Sequence, residues 1–286
     1  FFHFDYFSRK KMTYNNREKL IAHSIFLLGS IIVLYPFISI LFLALSEPGT
    51  RVSGFTVPTG IYFDNFIKAW TGGGFNYALL NSFVVVVGVV SVSVICSILA
   101  AYAFEKLDIF GVTPLFALLI LGLVLPYESI VISLYYSMKN LGLTNTYWSL
   151  ILPQIGLSIP FSIFWLRASF RSIPKALSEA AMIEGASRFT ILTKILIPQI
   201  VPAILTLTVL LFMWTWNEFL LALVMIQDAD MRTAPLALSY FAGNKRYGDP
   251  AITAAAAIWV ALPVLIAYIF LQRRFISGMV TGAVKE

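Results

Sequence analysis

The sequence predicts an all-α integral membrane protein with six transmembrane helices. The first observation is composition: the 286 residues are 59% apolar and 12% charged, with a mean hydropathy of +0.85. This charged share is about half of that in an ordinary soluble domain. The second observation is six apolar runs, each near the ~20 residues that a helix needs to cross the hydrocarbon core. Runs of this length favour helices, which satisfy their backbone hydrogen bonds internally.

Each predicted span is an apolar run, and most contain a proline or an acid. The six runs occupy residues 20–45, 77–104, 114–138, 147–166, 200–226 and 252–271. Pro36 predicts a kink in the first run, Pro126 and Glu128 interrupt the third, and Glu218 lies inside the fifth. The first run follows a basic start, but no small-residue cleavage site comes after it. We therefore interpret it as a span and not as a signal peptide.

The distribution of Lys and Arg predicts the orientation. Of the 20 such residues, six lie in loops one, three and five, and the other fourteen lie in the two termini and in loops two and four. Because cytoplasmic loops of membrane proteins carry the excess of basic residues, both termini are predicted to be cytoplasmic. The six residues of the opposite side are Arg51, Lys68, Lys139, Arg232, Lys245 and Arg246.

A polar segment, residues 172–199, separates the fourth and fifth spans on the cytoplasmic side. Residues 176–183 favour a helix, which Gly185 is expected to end because glycine accepts the backbone of a helix C-terminus. A second surface helix is predicted over residues 187–197, with Pro198 and Pro202 marking the return into the membrane. Two interpretations remain open from composition: a headgroup-anchored amphipathic helix, or a surface that docks into a groove of another protein.

The spacing in this segment resembles a known motif. Glu179-Ala180-Ala181, three residues, Gly185, nine residues, Ile195 and then Pro198 resemble the EAA loop of permease subunits of ABC importers. Glu184 stands at the acidic position before the glycine, where Asp is commoner. "FNYALLNSFVVV", "LTNTYWSLILP", "WNEFLLALVMI" and "AAAAIWVALPVLIAYIFLQRRFISGMVTGAVKE" resemble spans two, four, five and six of MalG-like sugar permeases. The resemblance covers nearly all of residues 20–286.

The resemblance implies the type I ABC importer permease fold, in a multi-pass subunit of the bacterial inner membrane that carries a sugar or oligosaccharide. In that family the EAA loop is a coupling helix seated in a cleft of a cytoplasmic ATPase. The residues it assigns to ATPase coupling are Glu179, Ala180, Ala181, Glu184, Gly185, Ala186 and Pro198. The implied partners are two ATPases, a second and different permease, and a solute-binding protein.

ATP and Mg are expected on the ATPases and no cofactor on this chain. The sequence has no G-x-x-x-x-G-K-[ST] phosphate loop. The expected organisation is a cytoplasmic segment over residues 1–19, a permease domain over 20–275 and a cytoplasmic tail over 276–286. The tail is either a frayed end or, by resemblance, an element that reaches between the ATPases.

The predicted external loop, residues 227–250, is a candidate binding-protein contact. In maltose-type importers the corresponding loop reaches into the opened sugar-binding protein. By that resemblance, Asn244, Lys245, Arg246 and Tyr247 are expected to make the contact. The alternative is a solvated loop without a partner.

Two acids lie inside predicted spans, Glu128 and Glu218. A carboxylate at such depth should face the bundle interior, a cavity or a partner. Together with Glu128, the cluster Trp214, Trp216, Asn217 and Glu218 could line a sugar path, because aromatic faces stack on sugar rings. Helix-to-helix hydrogen bonding or packing at the outer interface is the alternative.

Several classes of function have no support in the residues. No basic patch interleaved with aromatics favours nucleic-acid binding. No metal site and no catalytic residue is assigned, because His3 and His23 are the two histidines and neither lies in a ligand or triad pattern. Cys96 is expected to be a buried structural thiol. The alternatives to the importer subunit are an ion-coupled secondary transporter and, more remotely, a membrane enzyme.

Overall fold

A computed structural model describes residues 16–52, 54–244 and 248–283, with side chains for residues 17, 19–52, 54–244 and 248–270. All regular secondary structure in these ranges is helical. The α-helices are α1 (Asn16–Ala44), α2 (Asp64–Gly73), α3 (Phe75–Lys106), α4 (Val112–Val124), α5 (Tyr127–Asn140), α6 (Tyr147–Arg171), α7 (Lys175–Ile183), α8 (Arg188–Thr190), α9 (Ile197–Trp216), α10 (Leu220–Met225), α11 (Ala234–Ala242) and α12 (Pro250–Ala283). A π-helical turn joins α8 to α9 (Ile191–Leu196), and a 3₁₀ turn precedes α11 (Ala229–Met231).

Five helical stretches in the described part of the chain are long and apolar enough to cross a membrane, and a bent pair makes a sixth. The pair is α4 and α5, which meet at an angle of 99°. Pro126 causes the break, since it has no N–H to donate and Leu125 before it is extended, with ψ of 125°. The predicted number of spans is confirmed when this pair counts as one, and the predicted interruption at Pro126 is a sharp bend.

The predicted bounds of the fifth span, 200–226, are wrong at both ends. One helical stretch runs over Arg188–Trp216, so the separate surface helix expected over 187–197 is the first part of this span. The wider π-turn precedes Pro198 and allows the helix to continue through a residue that donates no backbone hydrogen bond. At the other end the helix stops at Trp216, and α10 follows after a short break.

Helix α3 is the centre of the bundle. It packs along α6 and against α9, while α12 packs against α9, α1 and α2. Close approach of α3 and α6 depends on Gly88, where a Cβ atom would lie 2.9 Å from Ile151 Cδ1. Small polar side chains, Ser93 and Ser97, are also fully buried on α3. Small residues at such contacts allow helix backbones to approach closely in membranes.

Two regions of the spans lie outside this core. The side chains of α1 are largely exposed, with Phe26 at 76%. Cys96 on α3 is also exposed, so the predicted buried thiol is wrong. The reason is helical geometry: Cys96 precedes the buried Ser97 by one position and therefore points about 100° away from it around the helix.

Candidate functional site

The EAA segment forms a short helix, α7, that is closed by a glycine turn. Gly185 has φ of +83°, in the left-handed region that L side chains avoid. The Ala186 N–H donates to the Ala181 carbonyl at 3.0 Å, and the Gly185 N–H donates to the Met182 carbonyl at 3.0 Å. These two bonds define a Schellman motif, the common glycine-based end of a helix. The prediction that Gly185 ends this helix is confirmed.

The far end of α7 exposes large apolar side chains. Ile183 is 88% exposed, Met182 is 50% exposed and Phe189, after the turn, is 72% exposed. The acids Glu179 and Glu184 are exposed beside them. We call Glu179, Met182, Ile183, Glu184 and Phe189 the α7 tip. An exposed apolar group with an acidic border, in an otherwise polar segment, is typical of an interaction surface.

The remaining residues of the predicted coupling set lie on both sides of this tip. Ala180 and Gly185 are exposed, and Ala186 is half-buried. Ala181 is buried and belongs to the apolar cluster under the helix. Pro198 is exposed but lies beyond the π-turn, in the first turn of α9. The structure therefore groups six of the seven residues at the α7 turn and separates Pro198 from them.

The chain just before α7 is bonded to the end of α3 by Lys106, which lies in a cluster of charged side chains. Lys106 Nζ, at the end of α3, donates to the Ile173 carbonyl at 2.6 Å. Arg167 of α6 pairs with Glu105 at 2.9 Å, and its guanidinium carbon lies 4.1 Å from the centre of the Phe116 ring on α4. Sequence analysis did not identify this cluster. The adjacent charges Glu105-Lys106 at the end of an apolar run were the available signal.

The predicted external loop is mostly folded against the bundle. Within it, α11 buries Leu236 and Phe241. Asn81 of α3 holds the preceding segment, because its Nδ2 donates to the carbonyls of Asp230 at 2.7 Å and Arg232 at 3.0 Å. The sequence analysis did not identify Asn81, although a lone amide in an apolar run indicates a hydrogen bond to a neighbouring segment.

Two further hydrogen bonds complete this attachment. Tyr147 Oη donates to Asn81 Oδ1 at 2.7 Å, and the Ala234 N–H donates to Ser82 Oγ at 2.8 Å. Asn81 and Ser82 are buried. The segment that leads into α11 is therefore held at a fixed position on α3.

The predicted binding-protein contact falls at the end of α11. Asn244 lies there and is exposed. Lys245, Arg246 and Tyr247 lie outside the described residues, so this contact stays a prediction. Nearby, the guanidinium carbon of Arg232 lies 3.8 Å from the centre of the Tyr240 ring.

The residues proposed for a sugar path have different surroundings. Trp216 is 3% exposed, and its Nε1 donates to the Val260 carbonyl at 3.1 Å. Trp214 is half exposed and meets Phe161 edge-on, with ring centres 4.8 Å apart. Asn217 is exposed, and its Nδ2 donates to the Met213 carbonyl at 2.8 Å. The structure does not assemble these three side chains into one lining, and the path itself stays a prediction.

The two membrane acids also differ. Glu218 is half-buried, and its Oε1 accepts hydrogen bonds from Tyr127 Oη at 2.6 Å and from the Leu221 N–H at 2.8 Å. Its Oε2 accepts from the Ala222 N–H at 3.2 Å, so Glu218 caps α10. Glu128 is exposed on this chain. This geometry favours the helix-bonding alternative for Glu218.

Metal-ligating side chains are scattered. Among the side chains that the structure describes, residues 17, 19–52, 54–244 and 248–270, no three of His, Cys, Asp or Glu lie close enough to hold a metal ion. The sequence-based assignment of no metal site stays a prediction.

Comparison with known proteins identifies the class. Residues 93–279 match the family described as "Binding-protein-dependent transport system inner membrane component". The chain is 33% identical over 253 residues to the trehalose transport system permease protein SugB of Mycobacterium tuberculosis, covering 88% of this chain and 92% of that one. It is 31% identical over 278 residues to the trehalose/maltose transport system permease protein MalG of Thermococcus litoralis, covering 94% and 99%.

The fold matches a solved importer. A chain from the crystal structure of a bacterial ABC transporter that imports the acidic polysaccharide alginate superposes with a TM-score of 0.74 at 23% identity, covering 92% of this chain and 99% of that one. The predicted ABC importer permease fold is confirmed. The sequence matches confirm a membrane transport component and do not support an ion-coupled transporter or an enzyme. The chain belongs to the family of inner membrane components of binding-protein-dependent transport systems.

Proposed function

We propose that this chain is one of two permease subunits of an ATP-driven importer for a sugar or oligosaccharide, and that it forms half of the translocation path. The sugar class is supported by relatives named for trehalose, trehalose/maltose and arabinooligosaccharides. The second permease is expected to be a different chain, as in the MalG-like branch that the sequence resembles.

The observation that carries the coupling role is the α7 tip. Its apolar side chains are exposed, led by Ile183 at 88%, and Glu179 and Glu184 border them. A short helix of this kind fits a groove with an apolar floor and a basic rim. We assign that groove to a cytoplasmic ATPase, where Glu179 pairs with a basic group. ATP and Mg are then bound by the ATPases, because this sequence carries no phosphate loop.

Two hydrogen bonds beside α7 support transmission of movement from the α7 tip into the membrane. On one side, Lys106 holds the chain just before α7 to the end of α3 through the Ile173 carbonyl. On the other side, Ser187 caps the helix that continues into α9, with the Thr190 N–H donating to Ser187 Oγ at 3.2 Å. A displacement of the tip is therefore expected to reach α3 and α9.

The orientation assigns the two faces to their partners. The excess of Lys and Arg predicts that α7 lies on the cytoplasmic side, where ATPases are found. The segment around α11 is then external, where a solute-binding protein docks. In this proposal the two sites lie at opposite ends of the same bundle, as an importer requires.

The proposal is tested by affinity capture of the chain from native membranes after gentle solubilisation. Mass spectrometry should identify an ATPase with a phosphate-loop motif and a second permease. Vesicles that contain this complex and the cognate binding protein should take up labelled sugar only when ATP is present on the side of the membrane where the ATPases lie. Recovery of the chain alone, or uptake that needs an ion gradient and no ATP, would contradict the proposal.

A further inference from the structure

A polar cavity lies beneath the segment that leads into α11. Its volume is about 260 Å³, several times the ~30 Å³ that a water molecule occupies in the liquid. One side is the glycine run that ends α2 and joins it to α3, Gly72, Gly73 and Gly74, which we call the floor, and the walls include Arg232 and Tyr240. Tyr77, Ala78, Ala229, Asp230, Ala237, Phe241 and Asn244 complete the lining.

The glycine floor is required by the backbone. A Cβ atom on Gly73 would lie 2.2 Å from Phe75 Cε2 and 3.0 Å from Phe241 Cδ2, so a side chain there would displace two buried rings. Gly74 joins α2 to α3 with φ of +60°, in the left-handed region. This side of the cavity is therefore bare backbone, because the three glycines have no side chains that could fill the space.

Arg232 lines this cavity, and its charge has no ion-pair partner among the described residues. Its Nε is buried and makes no hydrogen bond to any described residue. The ion pairs within the described ranges use other cations, Lys68, Arg167 and Arg171. The guanidinium carbon lies over the Tyr240 ring, 3.8 Å from its centre. Since this guanidinium has no ion-pair partner among the described residues, and its planar group matches a carboxylate, a carboxylate is the best complement.

The position of Arg232 is fixed before any ligand arrives. Asn81 Nδ2 donates to the Arg232 carbonyl at 3.0 Å, and Ser82 Oγ accepts from the Ala234 N–H at 2.8 Å. A preorganised site of this kind loses little conformational freedom when it binds. The cavity around Arg232 is therefore formed by the folded chain itself and does not need a ligand to assemble it.

Asp230 is the competing charge at the rim. It is exposed, and within the described part of the chain it forms no ion pair with Arg232. An incoming carboxylate would be repelled by Asp230 and attracted by Arg232. A hydroxylated solute, in contrast, would use both residues as hydrogen-bonding partners. Asp230 therefore distinguishes the two ligand classes.

We propose that this cavity is a socket for an acidic side chain of the docked solute-binding protein, with Arg232 as the group that binds its carboxylate. The inference rests on the proposed importer function and on its assignment of this face to the binding protein. It extends the predicted contact at Asn244 to a charge-specific pocket at Arg232.

The test uses the assembled transporter in lipid nanodiscs, with the cognate binding protein titrated at fixed, low salt. The variants are Arg232→Gln, Asp230→Asn and, as a matched control, Lys68→Gln. Lys68 is a cation on α2 whose side chain is half exposed and pairs with Asp64 at 2.7 Å. Recovery of both permeases and the ATPases with each variant confirms that the complex assembles.

The expected result is a Kd at least about tenfold higher for Arg232→Gln, as for loss of one partner of a desolvated charge pair. Asp230→Asn should lower the Kd, and Lys68→Gln should leave it unchanged. If Arg232→Gln binds the binding protein with wild-type affinity, the socket proposal is wrong. If Asp230→Asn binds it more weakly than the wild type, the ligand is a hydroxylated group and not an acidic one. If the wild-type complex binds no binding protein, the proposed function itself fails, which is a separate outcome.

Discussion

Tyr127 Oη donates a 2.6 Å hydrogen bond to Glu218 Oε1, and this bond joins the two breaks in the membrane helices. Tyr127 is the first residue of α5, directly after the Pro126 bend. Glu218 lies between α9 and α10 and caps α10 through the Leu221 and Ala222 N–H groups. The bend in the third span and the break in the fifth are therefore one connected unit.

Glu218→Ala should destabilise the protein more than Tyr127→Phe. The alanine leaves two N–H groups and a phenol without their acceptor, which costs about 2–4 kcal/mol, whereas the phenylalanine removes one bond at about 1–2 kcal/mol. Thermal unfolding in detergent measures both. Glu128→Ala, at the exposed neighbouring acid, serves as the control and should unfold like the wild type. Equal Tm values for Glu218→Ala and Glu128→Ala would contradict the cap.

Gly185→Asp should leave the chain inserted and assembled but abolish uptake. A Cβ atom at Gly185 meets nothing within 4 Å in this chain, so the folded protein loses about 1–2 kcal/mol from the left-handed backbone at φ +83°. The larger effect is expected at the ATPase, where the added side chain takes up space in the groove that a glycine leaves free. Gly185→Asn is the matched control, because Asn and Asp both tolerate this conformation and have similar size, so the pair separates the effect of the added side chain from that of its charge. ATP-dependent uptake in vesicles measures the difference, and normal uptake by Gly185→Asp would remove the coupling role.

Asn81→Leu should loosen the outer segment. The variant leaves the carbonyls of Asp230 and Arg232 and the Tyr147 hydroxyl without their partner, and each unsatisfied buried group costs about 1–3 kcal/mol. Hydrogen exchange should rise across residues 226–234 while exchange in α7 is unchanged. Asn65→Leu is the control. Asn65 is an equally buried amide, but its Nδ2 donates to the Ala44 and Ser46 carbonyls, away from the outer segment. If both variants changed exchange at 226–234 alike, the specific role of Asn81 would be wrong.

Arg167→Ala should cost more stability than Arg171→Ala. Arg167 pairs with Glu105 at 2.9 Å with 23% of its side chain exposed, whereas Arg171 reaches Glu105 only at 3.8 Å and is 77% exposed. The exposed pair is worth under about 1 kcal/mol, and breaking the partly buried one costs about 2–3 kcal/mol because Glu105 loses its main partner. Arg167→Lys should not restore the wild-type Tm, since lysine lacks the planar group that stacks on Phe116. Chemical or thermal unfolding of the three variants provides the measurement.

The spans and the α7 turn could be predicted because they depend on local sequence. Apolar runs need about 20 residues to cross the bilayer wherever they occur, and Gly185 ends a helix through its own backbone freedom. The error in the fifth span has a physical reason. Pro198 and Pro202 signal a helix end, but a π-turn upstream and packing of α9 against α3 and α12 keep the helix continuous.

The contacts that build the sites could not be predicted, because they join residues far apart in the chain. Lys106 with Ile173, Asn81 with Arg232, and Tyr127 with Glu218 are separated by 67, 151 and 91 positions. Residue type shows that a lone amide or acid in an apolar run needs a partner. It does not show which partner, since that depends on how the helices pack.

The central claim is that the α7 tip is seated in an ATPase, and site-specific crosslinking tests it most directly. Cys96 is the one native cysteine, so a Cys96→Ser background carrying Ile183→Cys offers a single thiol. The control is Phe110→Cys in the same background, at an apolar side chain that is also fully exposed, in the loop between α3 and α4 on the same side. In native membranes, a short thiol-to-lysine crosslinker should join residue 183 to a subunit with a phosphate-loop motif, and residue 110 should give a much weaker product. Equal labelling from both positions, or products that contain only lipid or a second copy of this chain, would contradict the account.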